Sequence, residues 1–186
     1  MTAVDNLWYL ADEADQRAAQ TYHRLGEEYD PSLEVDRTRH VSRGRFRTVA
    51  DRIRETGLPY GAHTIVYRDD GDLLLVYHEG VDMWVIPGGE LEPDETLVEG
   101  ARRELAEEAG IDASYDGLGI LARVTFYSDG HDTWGVLPVF AARADGGDPV
   151  VDDPDDEITA ARWFDELPAE TRDRDVLQSW REHAGF

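Results

Sequence analysis

Residues 89–111 read GELEPDETLVEGARRELAEEAGI. Thr96 with Glu99 three residues later has the form of a capping box, and Gly110 followed by Ile111 is a left-handed stop. A helix is therefore expected from about Leu97 to Ala109. At about 100° per residue, Leu97, Val98, Ala101, Leu105 and Ala109 share an apolar face, while Glu99, Arg102 and Ala106 turn to solvent. Glu104, Glu107 and Glu108 fall on the flank of the buried face. Their i, i+3, i+4 spacing sets three carboxylates within reach of one another, where they repel unless a cation joins them. Oxygen clusters of this kind suit a hard divalent ion, Mg2+ first and Mn2+ second, which keeps waters and bridges to phosphates. Gly100, one turn before Glu104, is expected to leave room for that ion and a phosphate. A solvated acidic face is the competing reading, but it gives no reason for the spacing of Gly89, Glu95 and Arg103.

Met83 to Ile86 is a short apolar strand, and Pro87, Gly88 and Gly89 turn the chain out of it, so that backbone groups can approach a ligand closely. With this loop, the pattern Gly89-x5-Glu95-x7-Arg103-Glu104-Leu105-x-Glu107-Glu108-x-Gly110-Ile111 resembles the Nudix box. That box is the signature of metal-dependent hydrolases of nucleoside diphosphates linked to another group. The resemblance covers about Tyr60 to the C-terminus and implies an α/β fold, a Nudix-type α/β/α sandwich with a mixed β-sheet. It also implies a metal held by Glu104, Glu107 and Glu108 with the backbone carbonyl of Gly88. Arg103 is then a catalytic cation that orients Glu104; the alternative is a surface Arg paired with Glu99. The general base is Glu104 or Glu157, the latter lying in a loop where family members often carry a functional acid. Asp152, Asp153, Asp155 and Asp156 crowd the same loop, and a merely solvated loop is equally open. Glu95 either holds the loop to the helix or joins the metal.

The 186 residues suffice for one domain with an appendage. Acidic residues number 41 and basic ones 18, a net charge of −23, and every basic residue is Arg. This resembles proteins of halophilic cells, where salt screens self-repulsion. It argues against nonspecific binding to DNA or to an anionic membrane. With no cysteine, disulfides and thiolate chemistry are excluded. Met1 to Leu10 lacks the form of a secretory leader, and no apolar run reaches the roughly 18 residues of a membrane span, so a cytoplasmic protein is expected.

Residues 1–58 read as a helical N-terminal arm and 59–186 as the hydrolase domain. In the arm, Asp5 to about Tyr29 and Arg43 to Thr56 have helical periodicity, separated by a turn around Pro31. Trp8 and Tyr9 make the arm a candidate homodimer surface, packing on its own domain being the alternative. Beyond it, His63–Tyr67 and Leu73–Tyr77 read as a hairpin, followed after the box by strands at Ile120–Tyr127, Thr133–Ala142 and Ala160–Phe164. Helical stretches are expected at Asp165–Arg172 and Arg174–Ala184, and the Asp-, Gly- and Pro-rich loop 145–156 should be exposed and mobile.

For a nucleotide substrate, Arg68, Tyr127 and Trp134 are the candidate binding residues, with His131 and Arg123 beside them, since bases stack on aromatic rings and phosphates attract Arg. Each could equally be an ordinary sheet residue. Arg37, Arg39, Arg43, Arg45, Arg47, Arg52 and Arg54 form a basic island broken only by Asp51. It either meets substrate phosphates, an RNA 5′ end included, or neutralises acidic faces of the fold. A nucleotide sensor or RNA-end-binding protein without turnover is the alternative to an enzyme, and retention of every box acid favours the enzyme.

Overall fold

The computed structural model describes residues 6–186, so the expected helix start at Asp5 and residues 1–5 of the leader reading lie outside the described residues. The chain has a mixed α/β fold with an open mixed sheet and a helical N-terminal segment, and divides into two compact units. One runs to Tyr60 and takes in Leu121–Pro138; the other comprises Gly61–Ile120 and Val139–Phe186.

In the first unit, helix α1 (Leu7–Tyr29) packs on a helix that follows it, Arg43–Thr56. Leu7, Ala11, Ala14, Ala18, Thr21 and Leu25 are the buried stripe of the former, Phe46, Val49, Ala50 and Ile53 that of the latter. Between them lies strand β1 (Leu33–His40), where only a turn was expected. Its sequence, LEVDRTRH, shows apolar alternation at Leu33 and Val35 alone, then places Arg37 and Arg39 on the same side. A charged half-strand gives no period-2 signal, and pairing with its neighbour in the sheet supplies what side chains do not. The second helix, α2 (Arg43–Thr56), starts where Ser42 accepts a hydrogen bond from Arg45 N and ends at Gly57. Trp8 and Tyr9 are exposed at 63% and 62%.

In the second unit, β2 (Ala62–Tyr67) and β3 (Leu73–His78) form the expected hairpin, with β4 (Met83–Val85) antiparallel to β3 and the two-residue β5 (Gly88–Gly89) antiparallel to β2. After helix α3 (Leu97–Ala109) come two long strands, β6 (Ala113–Ser128) and β7 (His131–Ala144), whose Leu121–Pro138 portion belongs to the first unit; β6 begins well before the expected Ile120. Residues 139–143 of β7 run parallel to β2. β8 (Ile158–Phe164) pairs antiparallel with β3, and α4 spans Arg174–Ala184. Val66, Leu74, Val76 and Ile158 from the strands close over Leu105, Ala109 and Ile111 at α3. Tyr67, next to Val66 and so on the opposite face, meets the rings of Trp180 and Phe186 at 5.6 and 5.3 Å. Helices thus cover both faces, the sandwich that the resemblance implies.

Residues 165–172 are not the helix that their composition suggested. Trp84 N donates to Glu170 O at 3.0 Å and Arg172 N to Trp84 O at 2.9 Å, so this stretch spends its backbone groups beside β4. Among the described residues no helix is long and apolar enough to cross a membrane.

The ends of α3 are as the sequence specifies: Thr96 Oγ1 accepts from Glu99 N at 3.3 Å, Glu99 Oε2 accepts from Thr96 N at 2.8 Å, and Gly110 caps the helix at φ 61°. Thr96→Ala should lower unfolding stability by about 1 kcal/mol in a denaturant titration; an unchanged midpoint would mean that the cap does not hold this helix.

Candidate active site

The helix α3 presents its acids to a turn made of backbone. Gly88 and Gly89 lie against Ala62 and His63 of β2, and a Cβ built on Gly89 would stand 2.7 Å from Glu104 Oε1. A side chain at this position would push that carboxylate from its place. Glu108, 7% exposed, accepts from Gly88 N at 2.9 Å.

Arg103 is the hub. Its Nε and Nη2 donate to Glu95 at 2.8 and 3.0 Å, its Nη1 to Glu104 at 2.7 Å and to Glu107 at 3.3 Å, and its Nη2 also to Glu90 O at 2.9 Å. Glu99, spent on the capping box, is not its partner. Glu95 is thereby tied to the helix, and it also accepts from Glu92 N at 2.8 Å, so it fastens the loop 90–95 onto α3. The Arg103 fork holds the Glu95 carboxyl below the usual range. Gly100 does not open a space for an ion: a Cβ there would be 2.4 Å from Leu91 Cδ2 and 3.2 Å from Glu95 Oε2, so its bareness admits the loop.

Burial dominates the two innermost acids. It pushes the Glu104 carboxyl up against the pull of Arg103, and it pushes Glu108 up to about 9, with the charges of Glu104, Asp153 and Glu157 adding to the effect and the Gly88 amide opposing it. Asp153 and Glu157 come from the loop before β8. Val150 N and Asp152 N donate to the α3 carbonyls of Ala109 and Glu107 at 2.7 and 2.9 Å, which anchors a loop expected to be mobile at the helix C-terminus. Asp153 Oδ2 then accepts from Glu157 N and Ile158 N at 2.8 and 2.9 Å. Position in sequence could not single out Asp153 as the residue that shapes this loop.

The all-oxygen donor set of Glu104, Glu107 and Glu108 fits a hard divalent cation. Among the described residues, however, no three acidic or His side chains already form a cation cage. Arg103 draws Glu104 and Glu107 to itself, and the Gly88 amide draws Glu108.

Of the candidate substrate residues, Arg68 belongs to this unit; it lies over the Trp163 ring at 4.0 Å and donates to Gly147 O at 3.1 Å. Tyr127 and Trp134 belong to the other unit. There Tyr127 stacks on His40 at 5.6 Å, and Trp134 lies under Arg123 at 4.0 Å. In the basic island, Arg54 pairs with Asp51 at 3.1 Å and Glu13 at 3.8 Å, which accords with neutralisation within the fold.

Glu108 carries a pH consequence. Its folded value lies above the ordinary 4.5, so its contribution to stability is fully present below about 4.5 and is lost as pH rises through about 9. In chelator, stability of the wild type should fall between pH 5 and 9 more steeply than that of Glu108→Gln, by up to about 1.4 kcal/mol per pH unit. Parallel curves in thermal melts would show that Glu108 is ionised in the metal-free protein.

The NUDIX domain profile matches residues 57–180. Over 87 residues the chain is 36% identical to a Bacillus subtilis (strain 168) protein provisionally named an 8-oxo-dGTP diphosphatase, covering 46% of this chain and 58% of that protein. Over 111 residues it is 35% identical to a MutT-like protein of Streptomyces ambofaciens, covering 59% and 64%. The chain thus spans about six-tenths of the length of these curated relatives. A solved NUDIX hydrolase from Nitrosomonas europaea superposes with a TM-score of 0.51 at 26% identity, over 67% of this chain and 87% of that one. The profile takes in two thirds of the chain and encloses the strand, the glycine turn and the acid-bearing helix described above, and the chain belongs to the Nudix family.

Proposed function

We propose that the chain hydrolyses a phosphoanhydride bond in a nucleoside diphosphate linked to another moiety, with Mg2+ as the metal. The observation that carries this reading is the Arg103 fork, which spends one guanidinium on Glu95, Glu104 and Glu107 and sets the acids of one helix flank against the Gly88–Gly89 backbone. Bound in this place, a divalent ion would supply charge neutralisation for the diphosphate and its leaving group. Glu104, Glu107, Glu108 and the Gly88 carbonyl would hold it. Arg103 orients Glu104, and Glu157 takes the proton of the attacking water. The name of the Bacillus subtilis relative supports nucleoside triphosphates as the substrates to test first, with nucleotide sugars such as ADP-ribose and dinucleoside polyphosphates beside them. Arg68, in the unit that carries the box acids, remains the proposed substrate contact there.

The acid excess supports a salt-adapted protein, so the assay belongs in high salt. With Mg2+ and this panel, Glu104→Gln combined with Glu108→Gln should lower kcat at least about 10²-fold, a barrier change of about 2.7 kcal/mol. Turnover that survives the pair would contradict the site.

The exposed Trp8 and Tyr9 support the N-terminal arm as the face through which two copies pair. Sedimentation should give a dimer that Trp8→Ala with Tyr9→Ala converts to monomer, and a monomeric wild type would exclude it.

A further inference from the structure

The strand β8 joins β3 through a bulge: Ala160 stands opposite Tyr77, but Ile158, two residues earlier, stands opposite His78. Thr159 is the extra residue, and its hydroxyl donates to Glu79 Oε1 at 2.9 Å. Bulges of this kind re-aim the side chains beside them. Here the shift brings Glu157 alongside the end of β3, where Glu79 N donates to Glu157 O at 2.9 Å and His78 Nε2 lies 3.5 Å from Glu157 Oε2.

The other ring nitrogen of His78 decides what that contact is. Gly80 N donates to His78 Nδ1 at 3.1 Å. An amide N–H can only donate, so Nδ1 must be the bare nitrogen and the ring proton sits on Nε2, the nitrogen 3.5 Å from the Glu157 carboxylate. The turn after β3 thereby fixes the tautomer. Glu157 N also donates to Asp153 Oδ2 at 2.8 Å, in the loop whose Asp152 N donates to Glu107 O of α3 at 2.9 Å.

We propose that His78 is a positioning residue for hydrolysis, its Nε2–H holding the Glu157 carboxylate toward the α3 acids so that Glu157 accepts the proton of the attacking water. This rests on the role given to Glu157 above. In the step, one water proton passes to the Glu157 carboxylate, the water oxygen bonds to phosphorus, and the bridging P–O bond breaks with its electron pair leaving on the departing phosphate. His78 keeps its proton throughout.

Two substitutions separate positioning from mere support of the turn. His78→Gln places an amide donor where Nε2 was, and His78→Asn places an acceptor oxygen where Nδ1 was. With the substrate on which the wild type is most active, His78→Asn should lower kcat about tenfold or more at nearly unchanged KM and melting temperature, whereas His78→Gln should stay within about threefold of wild type. Adding His78→Asn to Glu157→Gln should slow the enzyme no further, because the two act as one unit. Wild-type kcat in His78→Asn, or the same loss in the Glu157→Gln background, would overturn the proposal. A wild type inactive on the whole panel sinks the hydrolase reading instead, while an active wild type with unchanged Glu157→Gln sinks the role of Glu157 and this inference alone.

Discussion

Mutual repulsion among Glu104, Glu107 and Glu108 on one flank of α3 is the constraint to which the surrounding structure answers. Carboxylates one turn apart destabilise a helix unless positive charge or hydrogen-bond donors meet them. Arg103 meets two of the three, and the Gly88 amide meets the third. Those partners dictate the neighbourhood: a turn without side chains, packed so closely on Glu104 that a Cβ would collide, and a loop 90–95 drawn in by the same guanidinium. The planar fork of Arg suits a hub with several acceptors, which a Lys ammonium would serve less well.

Burial adds a second layer. Glu108 is sunk deeply enough that it favours its neutral form, and the loop before β8 contributes Asp153 and Glu157 to the same negative field. That loop reaches the site through ordinary helix chemistry. The last carbonyls of α3 lack partners within the helix, and amides of Val150 and Asp152 supply them. Completing the helix C-terminus and delivering further acids to its side are thus one structural event.

The helix α3 was legible in the sequence to the residue, because everything that defines it is local: a capping box at Thr96, a four-residue apolar period, and a glycine at the left-handed stop. The hairpin of β2 and β3 was legible for the same reason, being two apolar runs joined by a short acidic turn. The strand β1 was not, since half of its side chains are charged and its stability resides in backbone pairing. Residues 165–172 misled in the opposite sense, with helical composition but backbone groups claimed by Trp84.

The sequence by itself determined which acids share a helix flank, where that helix starts and stops, and that a glycine turn precedes it, because each of these follows from spacing along a regular backbone. Tertiary structure alone decided that Arg103 turns to Glu95 and Glu104 and away from Glu99, that Leu91 fills the space beside Gly100, and that His78 meets Glu157 across a bulge. The first two depend on how the loop 90–95 folds back onto the helix that follows it, and the last on which strand lies beside which and in what register; no local periodicity encodes either.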